Sequence, residues 1–291
     1  MFQGSLVATI TPFRNGAVDE RGYQNFIAWQ IEQGTHGLVP CGTTGESPTL
    51  SHREHKRVVE LCLEVAKGKV PVIAGSGSNS TAEAIELTRH AKEAGADAAL
   101  VVTPYYNKPT QEGLYQHFKA IHDAVDLPII IYNIPPRSVV DMSVATMARL
   151  AKLKNIVGVK DATMDLARPL RTRLAIGPDF CQLSGEDITV VPYLSQGGHG
   201  CISVTANIAP RLCADLHEAW QRGDLKTVAR VNERLAPLHD AMFCEASPGP
   251  VKYASSLLGK TTAETRLPLC EIAVESKERV AQAMRGAGLI N

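Results

Sequence analysis

Three stretches of this chain repeat one grammar, and that repetition limits the fold more than any other feature. They are Gln33-Gly34-Thr35-His36-Gly37-Leu38-Val39, Ala94-Gly95-Ala96-Asp97-Ala98-Ala99-Leu100-Val101-Val102 and Gln196-Gly197-Gly198-His199-Gly200-Cys201-Ile202-Ser203-Val204. Each places a glycine where a helix would close in the left-handed conformation, then a short apolar strand, then a polar loop. Further apolar runs at Leu6 to Ile10, Val70 to Ala74, Ile129 to Asn133, Ile156 to Lys160 and Cys181 to Ser184 bring the predicted strands to about eight, with helical stretches between them. That alternation predicts an α/β fold, a (β/α)8 TIM barrel.

The helical stretches carry their own marks. Ser51-His52-Arg53-Glu54 has the capping-box pattern, and Val58, Val59, Leu61, Cys62 and Val65 then form an apolar stripe. Ser80-Thr81-Ala82-Glu83 predicts a second helix opened in the same way. After the last strand a helix is expected from about Ala209 to Arg222, punctuated by Gly223-Asp224. Residues 225–291 read as helices only, so the expected organisation is a barrel over 1–224 and a C-terminal helical domain over 225–291. No Ser-, Gly- or Pro-rich linker separates the two, which predicts a firmly packed extension.

Charge and cysteine usage exclude several classes of function. Lys plus Arg and Asp plus Glu both number 30, so no summed field would gather nucleic acid or hold an anionic membrane. The longest apolar runs fall far short of the ~20 residues of a membrane helix. The start, Met1-Phe2-Gln3-Gly4, lacks the basic and apolar segments of a secretory signal, and a cytoplasmic location is expected. The seven cysteines are scattered and never spaced C-x-x-C, which suits reduced, mostly buried thiols and argues against a zinc site.

In a barrel the chemistry lies where strands end. Lys160 closes the apolar run Ile156-Val157-Gly158-Val159. By position alone such a lysine more often snorkels to solvent than works in the barrel mouth. Its neighbours reverse that reading. Tyr132-Asn133 closes another strand and leads to Arg137; Gly42-Thr43-Thr44-Gly45-Glu46-Ser47 is a small-residue turn suited to an anion; Thr103-Pro104-Tyr105-Tyr106-Asn107 adds phenols. An uncharged lysine attacks a ketone to give an iminium, the adjacent carbon loses a proton, and an enamine nucleophile results, with a tyrosine moving the protons.

Taken in order, Gly42-Thr43-Thr44-Gly45-Glu46, Tyr105-Tyr106-Asn107, Tyr132-Asn133 with Arg137, Gly158-Val159-Lys160-Asp161-Ala162-Thr163, Gly198-His199-Gly200-Cys201-Ile202-Ser203 and the tail Pro250-Val251-Lys252-Tyr253 resemble the dihydrodipicolinate synthase family over essentially the whole chain. The resemblance implies a Schiff-base lyase that condenses pyruvate with L-aspartate 4-semialdehyde in lysine (diaminopimelate) biosynthesis, with no cofactor and no metal. It implies Lys160 as the Schiff-base lysine and Tyr132 as acid/base. Thr43 would link Tyr132 to Tyr106, the latter supplied across a dimer interface. Thr43 and Thr44 would bind the pyruvate carboxylate and Arg137 that of the semialdehyde, with Gly185 and Ile202 lining the pocket through backbone. It further implies feedback inhibition by lysine at Ser47, Pro48, His52, His55, Asn79, Glu83 and Tyr105, and a homo-oligomer, at least a dimer and in this family a dimer of dimers.

Pro48 stands where lysine-sensitive members have alanine, Met164 where the family commonly has glycine, and Ala246 to Pro250 departs from the usual Asn-Pro run. Two alternatives accompany the main reading: a related pyruvate aldolase for sialic or keto-deoxy sugar acids, and a non-catalytic metabolite-binding relative. Arg137 and the double threonine weigh against the first, and the lysine with its relay against the second. Gly75-Ser76-Gly77-Ser78-Asn79-Ser80 lacks the third glycine of a dinucleotide turn, and Asp97 precedes its strand instead of closing it. His52-Arg53-Glu54-His55 is not a zinc motif and is explained by a capped helix.

Overall fold

The computed structural model describes residues 2–291. Its strands are β1 (Gly4–Ala8), β2 (Phe13–Arg14), β3 (Ala17–Val18), β4 (Gly37–Val39), β5 (Ile73–Gly75), β6 (Ala98–Val102), β7 (Ile129–Asn133), β8 (Ile156–Asp161), β9 (Cys181–Ser184) and β10 (Gly200–Ser203). Its α-helices are α1 (Glu20–Glu32), α2 (His52–Ala66), α3 (Thr81–Ala94), α4 (Gln111–Ala124), α5 (Pro135–Ser138), α6 (Val144–Leu150), α7 (Arg168–Ile176), α8 (Val190–Ser195), α9 (Pro210–Gln221), α10 (Leu225–Met242), α11 (Gly249–Leu257) and α12 (Val274–Gly286). With the β2–β3 hairpin set aside, the strands are parallel and alternate with helices along the chain, the (β/α)8 pattern expected above. Gly34, Gly95 and Gly197 take φ of 86°, 95° and 95°, so all three punctuating glycines use the left-handed region.

The chain forms two compact units, one over Val72–Ile202 with the first few residues, the other over Gly4–Pro71 and Ser203–Asn291. In the first, β5 to β10 lie side by side in sequence order. Their apolar side chains are buried on both faces; Ile129, Ile130 and Ile131 have no exposed surface, as parallel strands under helices require. Asp97 accepts a hydrogen bond from Val72 N at 2.8 Å, so its role lies at the foot of neighbouring strands. Ser80 caps α3 through its backbone alone, because the Glu83 carboxylate turns instead to the Ser78 hydroxyl; the expected capping box does not form there.

In the second unit β1 pairs with β4, Leu6 opposite Gly37 and Ala8 opposite Val39. The Asn207 amide closes β1, donating to Ala8 O at 2.8 Å and accepting from Ile10 N at 3.0 Å. The capping box at Ser51 and Glu54 is complete, with both reciprocal bonds. The extension packs firmly: α10 lies on α9, and α12 on α10 and α11. It is not helical throughout, since residues 258–273 form an irregular connection. That stretch is tied to the hairpin by Arg266 Nη2 donating to Gly16 O at 2.7 Å, and to α2 by an Arg266–Glu54 ion pair that lowers the Glu54 carboxyl to about 2. Of the cysteines, Cys41, Cys62, Cys181, Cys201 and Cys213 are buried.

Candidate active site

Two side chains on adjacent strands begin the site. β7 and β8 run parallel with Tyr132 opposite Lys160 and Asn133 opposite Asp161. The register shifts between Ile129 and Ile130, so Ile129 faces Ile156 while Ile130 faces Gly158. Without that shift Tyr132 would face Val159, and the phenol and the amine would lie on opposite faces of the sheet. With it, the Lys160 amine sits 4.2 Å from the centre of the Tyr132 ring. Both side chains are buried, at 6% and 5% exposure, so the lysine does not snorkel to solvent.

The next strand closes the space around the amine. A Cβ at Gly185 would lie 3.2 Å from Lys160 Cε and 2.8 Å from Ala162 Cβ, so only glycine leaves the lysine stem its room. Gly185 N donates to Asp161 O at 2.6 Å, and Ile202 on β10 is fully buried. Glu186 follows, its backbone N–H donating to the Ser184 hydroxyl at 3.1 Å. Burial pushes its carboxyl up to about 7, against the opposing pull of Lys160 and then Arg137. The Glu186 carboxyl therefore stands within the field of Lys160 and Arg137. Glu186 is absent from the sequence-derived site; its place directly after Gly185, at a strand end, was the available signal.

Arg137 lies exposed in the short helix α5, directly after β7. Tyr105 and Tyr106 follow β6. Tyr106 is held at φ 69° and is 88% exposed. Asn107 Nδ2 donates to Asn79 O at 3.0 Å, which ties this loop to the segment that leads to Glu83.

In the other unit, the turn after β4 is built on its own backbone: Gly45 N donates to Gly42 O and Glu46 N to Thr43 O, both at 3.1 Å. Thr43 is half-buried and Thr44 buried. Glu46 takes φ 55°, and its carboxylate accepts from Lys252 Nζ at 2.5 Å and from Arg266 N at 3.0 Å. The Lys252 side chain has no exposed surface, and its amine also lies 4.1 Å over the Phe13 ring. This buried pair anchors the double-threonine turn. Both residues stand in the family motifs, but at 206 residues apart nothing in the sequence pairs them. Ser47 and Pro48 continue the turn, His52 opens α2 on the surface, and His55 is buried one turn later. The structure thus assembles Lys160, Tyr132 and Gly185 in one unit and Thr43, Thr44 and Ser47 in the other.

The sequence matches the model of the Dihydrodipicolinate synthetase family over residues 1–287. The chain belongs to this family. It is 71% identical over 290 residues, covering 100% of both chains, to the 4-hydroxy-tetrahydrodipicolinate synthase of Rhodospirillum centenum. Among solved structures it resembles the chloride-inhibited dihydrodipicolinate synthase of Acinetobacter baumannii complexed with pyruvate, at 47% identity and TM-score 0.97 over 100% of each chain. It also resembles the Cyanidioschyzon merolae enzyme with lysine bound, at 39% identity and TM-score 0.96 over 99% of each chain. The fold class is that of the dihydrodipicolinate synthetase family, a (β/α)8 barrel with a C-terminal helical extension. The family favours the synthase reading over a sugar-acid aldolase or a binding-only relative. No helix among the described residues is long and apolar enough to cross a membrane.

Proposed function

We propose that this chain is a Schiff-base lyase that condenses pyruvate with L-aspartate 4-semialdehyde to 4-hydroxytetrahydrodipicolinate in lysine (diaminopimelate) biosynthesis. The observation that carries the reading is the buried Lys160 amine against the Tyr132 ring at the ends of paired strands. Lys160 Nζ attacks the pyruvate ketone, and loss of water gives the iminium. Tyr132 receives and returns the protons, the pyruvate methyl carbon loses one to give the enamine, and that carbon bonds to the aldehyde carbon of the semialdehyde. The semialdehyde amine then displaces the lysine and closes the ring.

Thr43 and Tyr106 serve as relay partners of Tyr132, and the exposure of Tyr106 supports its donation to a second subunit. The Thr43–Thr44 turn holds the pyruvate carboxylate, with Gly185 and Ile202 contributing backbone. A homo-oligomer follows, at least a dimer and by family resemblance a dimer of dimers, in the cytoplasm. By function, as distinct from compactness, residues 1–224 form the catalytic barrel and 225–291 the helical domain. Incubation with pyruvate and borohydride, followed by peptide mapping, tests the core of this reading. A pyruvyl adduct on Lys160 with turnover of the semialdehyde in a coupled assay supports it; no adduct on Lys160 refutes it.

Arg137 binds the semialdehyde carboxylate. Arg137→Ala is expected to lower kcat/KM for the semialdehyde by about 10- to 100-fold, the scale of a lost charged hydrogen bond. Pyruvate trapping should change by less than about two-fold, because that step precedes the second substrate. Equal loss in both measurements would remove Arg137 from this role.

Lysine acts as a feedback inhibitor through Ser47, Pro48, His52, His55, Asn79, Glu83 and Tyr105, a reading supported by the lysine-bound Cyanidioschyzon merolae relative. Initial rates should fall saturably as lysine is added. A dose-response flat to high lysine would eliminate this regulation.

A further inference from the structure

Behind the two residues that face the reaction lies a polar brace that the mechanism does not use. Tyr132 and Lys160 project to one face of the sheet, so their successors Asn133 and Asp161, also paired in register, project to the other. Asn133 Nδ2 donates to Asp141 Oδ1 at 2.8 Å, and Asn133 Oδ1 accepts from Met142 N at 3.0 Å. The Arg168 guanidinium grips Asp141 with both terminal nitrogens, at 3.0 and 3.1 Å, and donates to Met142 O. Its Nε lies 3.1 Å from Asp161 Oδ2, close enough for an ion pair although the N–H is not aimed at that oxygen. Asp161 Oδ1 is taken by Thr163 N at 2.8 Å.

The burial of this brace is uneven. The Arg168 and Asp161 side chains are 8% and 5% exposed, whereas Asp141 is 51% exposed. The buried pair fixes the guanidinium to the strand that carries Lys160. The outer pair uses the same guanidinium to hold the segment returning from α5. Arg137 stands in α5, between Tyr132 and Asp141, so both ends of its segment are tied: one through Asn133 on β7, the other through Asp141 to Arg168. A fork-to-carboxylate bond sets angle as well as distance, which a single point charge would not do.

We propose that Arg168, acting through Asp141, is a positioning residue that fixes the Arg137 segment relative to Lys160 and thereby sets recognition of the second substrate. This rests on the proposed function, since it presumes that Arg137 meets the semialdehyde after Lys160 has taken pyruvate. Neither Arg168 nor Asp141 takes part in the steps proposed above. Loosening the clip should leave formation of the pyruvyl adduct intact and weaken only the step that needs Arg137 in place.

The test uses the full-length enzyme with Asp141→Asn and Arg168→Lys. Asp141→Asn is the decisive variant, because Arg168 still neutralises the buried Asp161 and the fold is retained; Arg168→Lys keeps the charge and loses the fork. For each, KM and kcat are measured with both substrates, together with the rate of pyruvate trapping by borohydride and Tm. The expected result for both is a rise of about ten-fold in KM for the semialdehyde, with KM for pyruvate and the trapping rate within about two-fold of wild type. The proposal is overturned if Asp141→Asn leaves the semialdehyde KM unchanged, or if both substrates and the trapping rate suffer alike, as a merely structural role would produce. A wild-type enzyme that forms no pyruvyl adduct would bring down the functional reading itself. Normal wild-type trapping without the KM split would bring down this proposal alone.

Discussion

Lys160→Met should abolish turnover to the uncatalysed background and leave no pyruvyl adduct after borohydride treatment. Methionine retains an unbranched, flexible stem of similar volume in a site where the lysine is 6% exposed, so the packing between β8 and β9 survives. The nucleophile does not. No iminium forms, the pyruvate methyl carbon is never acidified, and the semialdehyde has nothing to react with. The variant should fold, with a Tm equal to or above that of wild type, because it no longer buries an amine beside the Tyr132 ring. Rates with both substrates, mass spectrometry of the trapped protein and a melting curve check the three statements. An adduct on another lysine, with turnover preserved, would move the chemistry elsewhere in the chain.

Tyr132→Phe should lower kcat by about 10²- to 10⁴-fold, the range of a lost general acid/base. The ring that packs at 4.2 Å from the lysine amine remains and only the hydroxyl is removed, so Tm should change little. Because both Schiff-base formation and enamine formation move protons, the trapping rate and exchange of the pyruvate methyl protons into deuterated water should slow together. That separates Tyr132 from Arg137, whose loss should spare the pyruvate half-reaction. A loss below about ten-fold would assign the proton transfers to another group. Glu186 is the first to test, since its carboxyl sits at about 7 in the field of Lys160.

Parts of this molecule were legible from local sequence because the forces behind them are local. The strand Ile129–Asn133 has the bounds its sequence predicts, since a buried parallel strand favours a continuous apolar run such as Ile129-Ile130-Ile131, with a polar loop after its end. The capping box at Ser51 closes within one turn. Ser80 shows the limit: the same pattern failed because Ser78, five residues before Glu83, offered its carboxylate a better partner. The tail was legible as helical at α10, α11 and α12, but its irregular 258–273 connection depends on partners in the hairpin and α2 some two hundred residues earlier.

The choice of candidate residues rests on strand ends and on the ordered family motifs, since a lysine, a tyrosine and a threonine turn keep their chemical character wherever they are placed. Their mutual geometry did not follow. Whether Tyr132 faces Lys160 or Val159 turns on one residue of register between β7 and β8, and that is settled by how the strands pack, not by either strand alone. Lys252 and Glu46 are 206 residues apart, and Arg168 reaches Asp141 from 27 residues away. Such pairs leave no periodic trace. Burial makes each charge seek a partner, and only the folded chain determines which partner lies within reach.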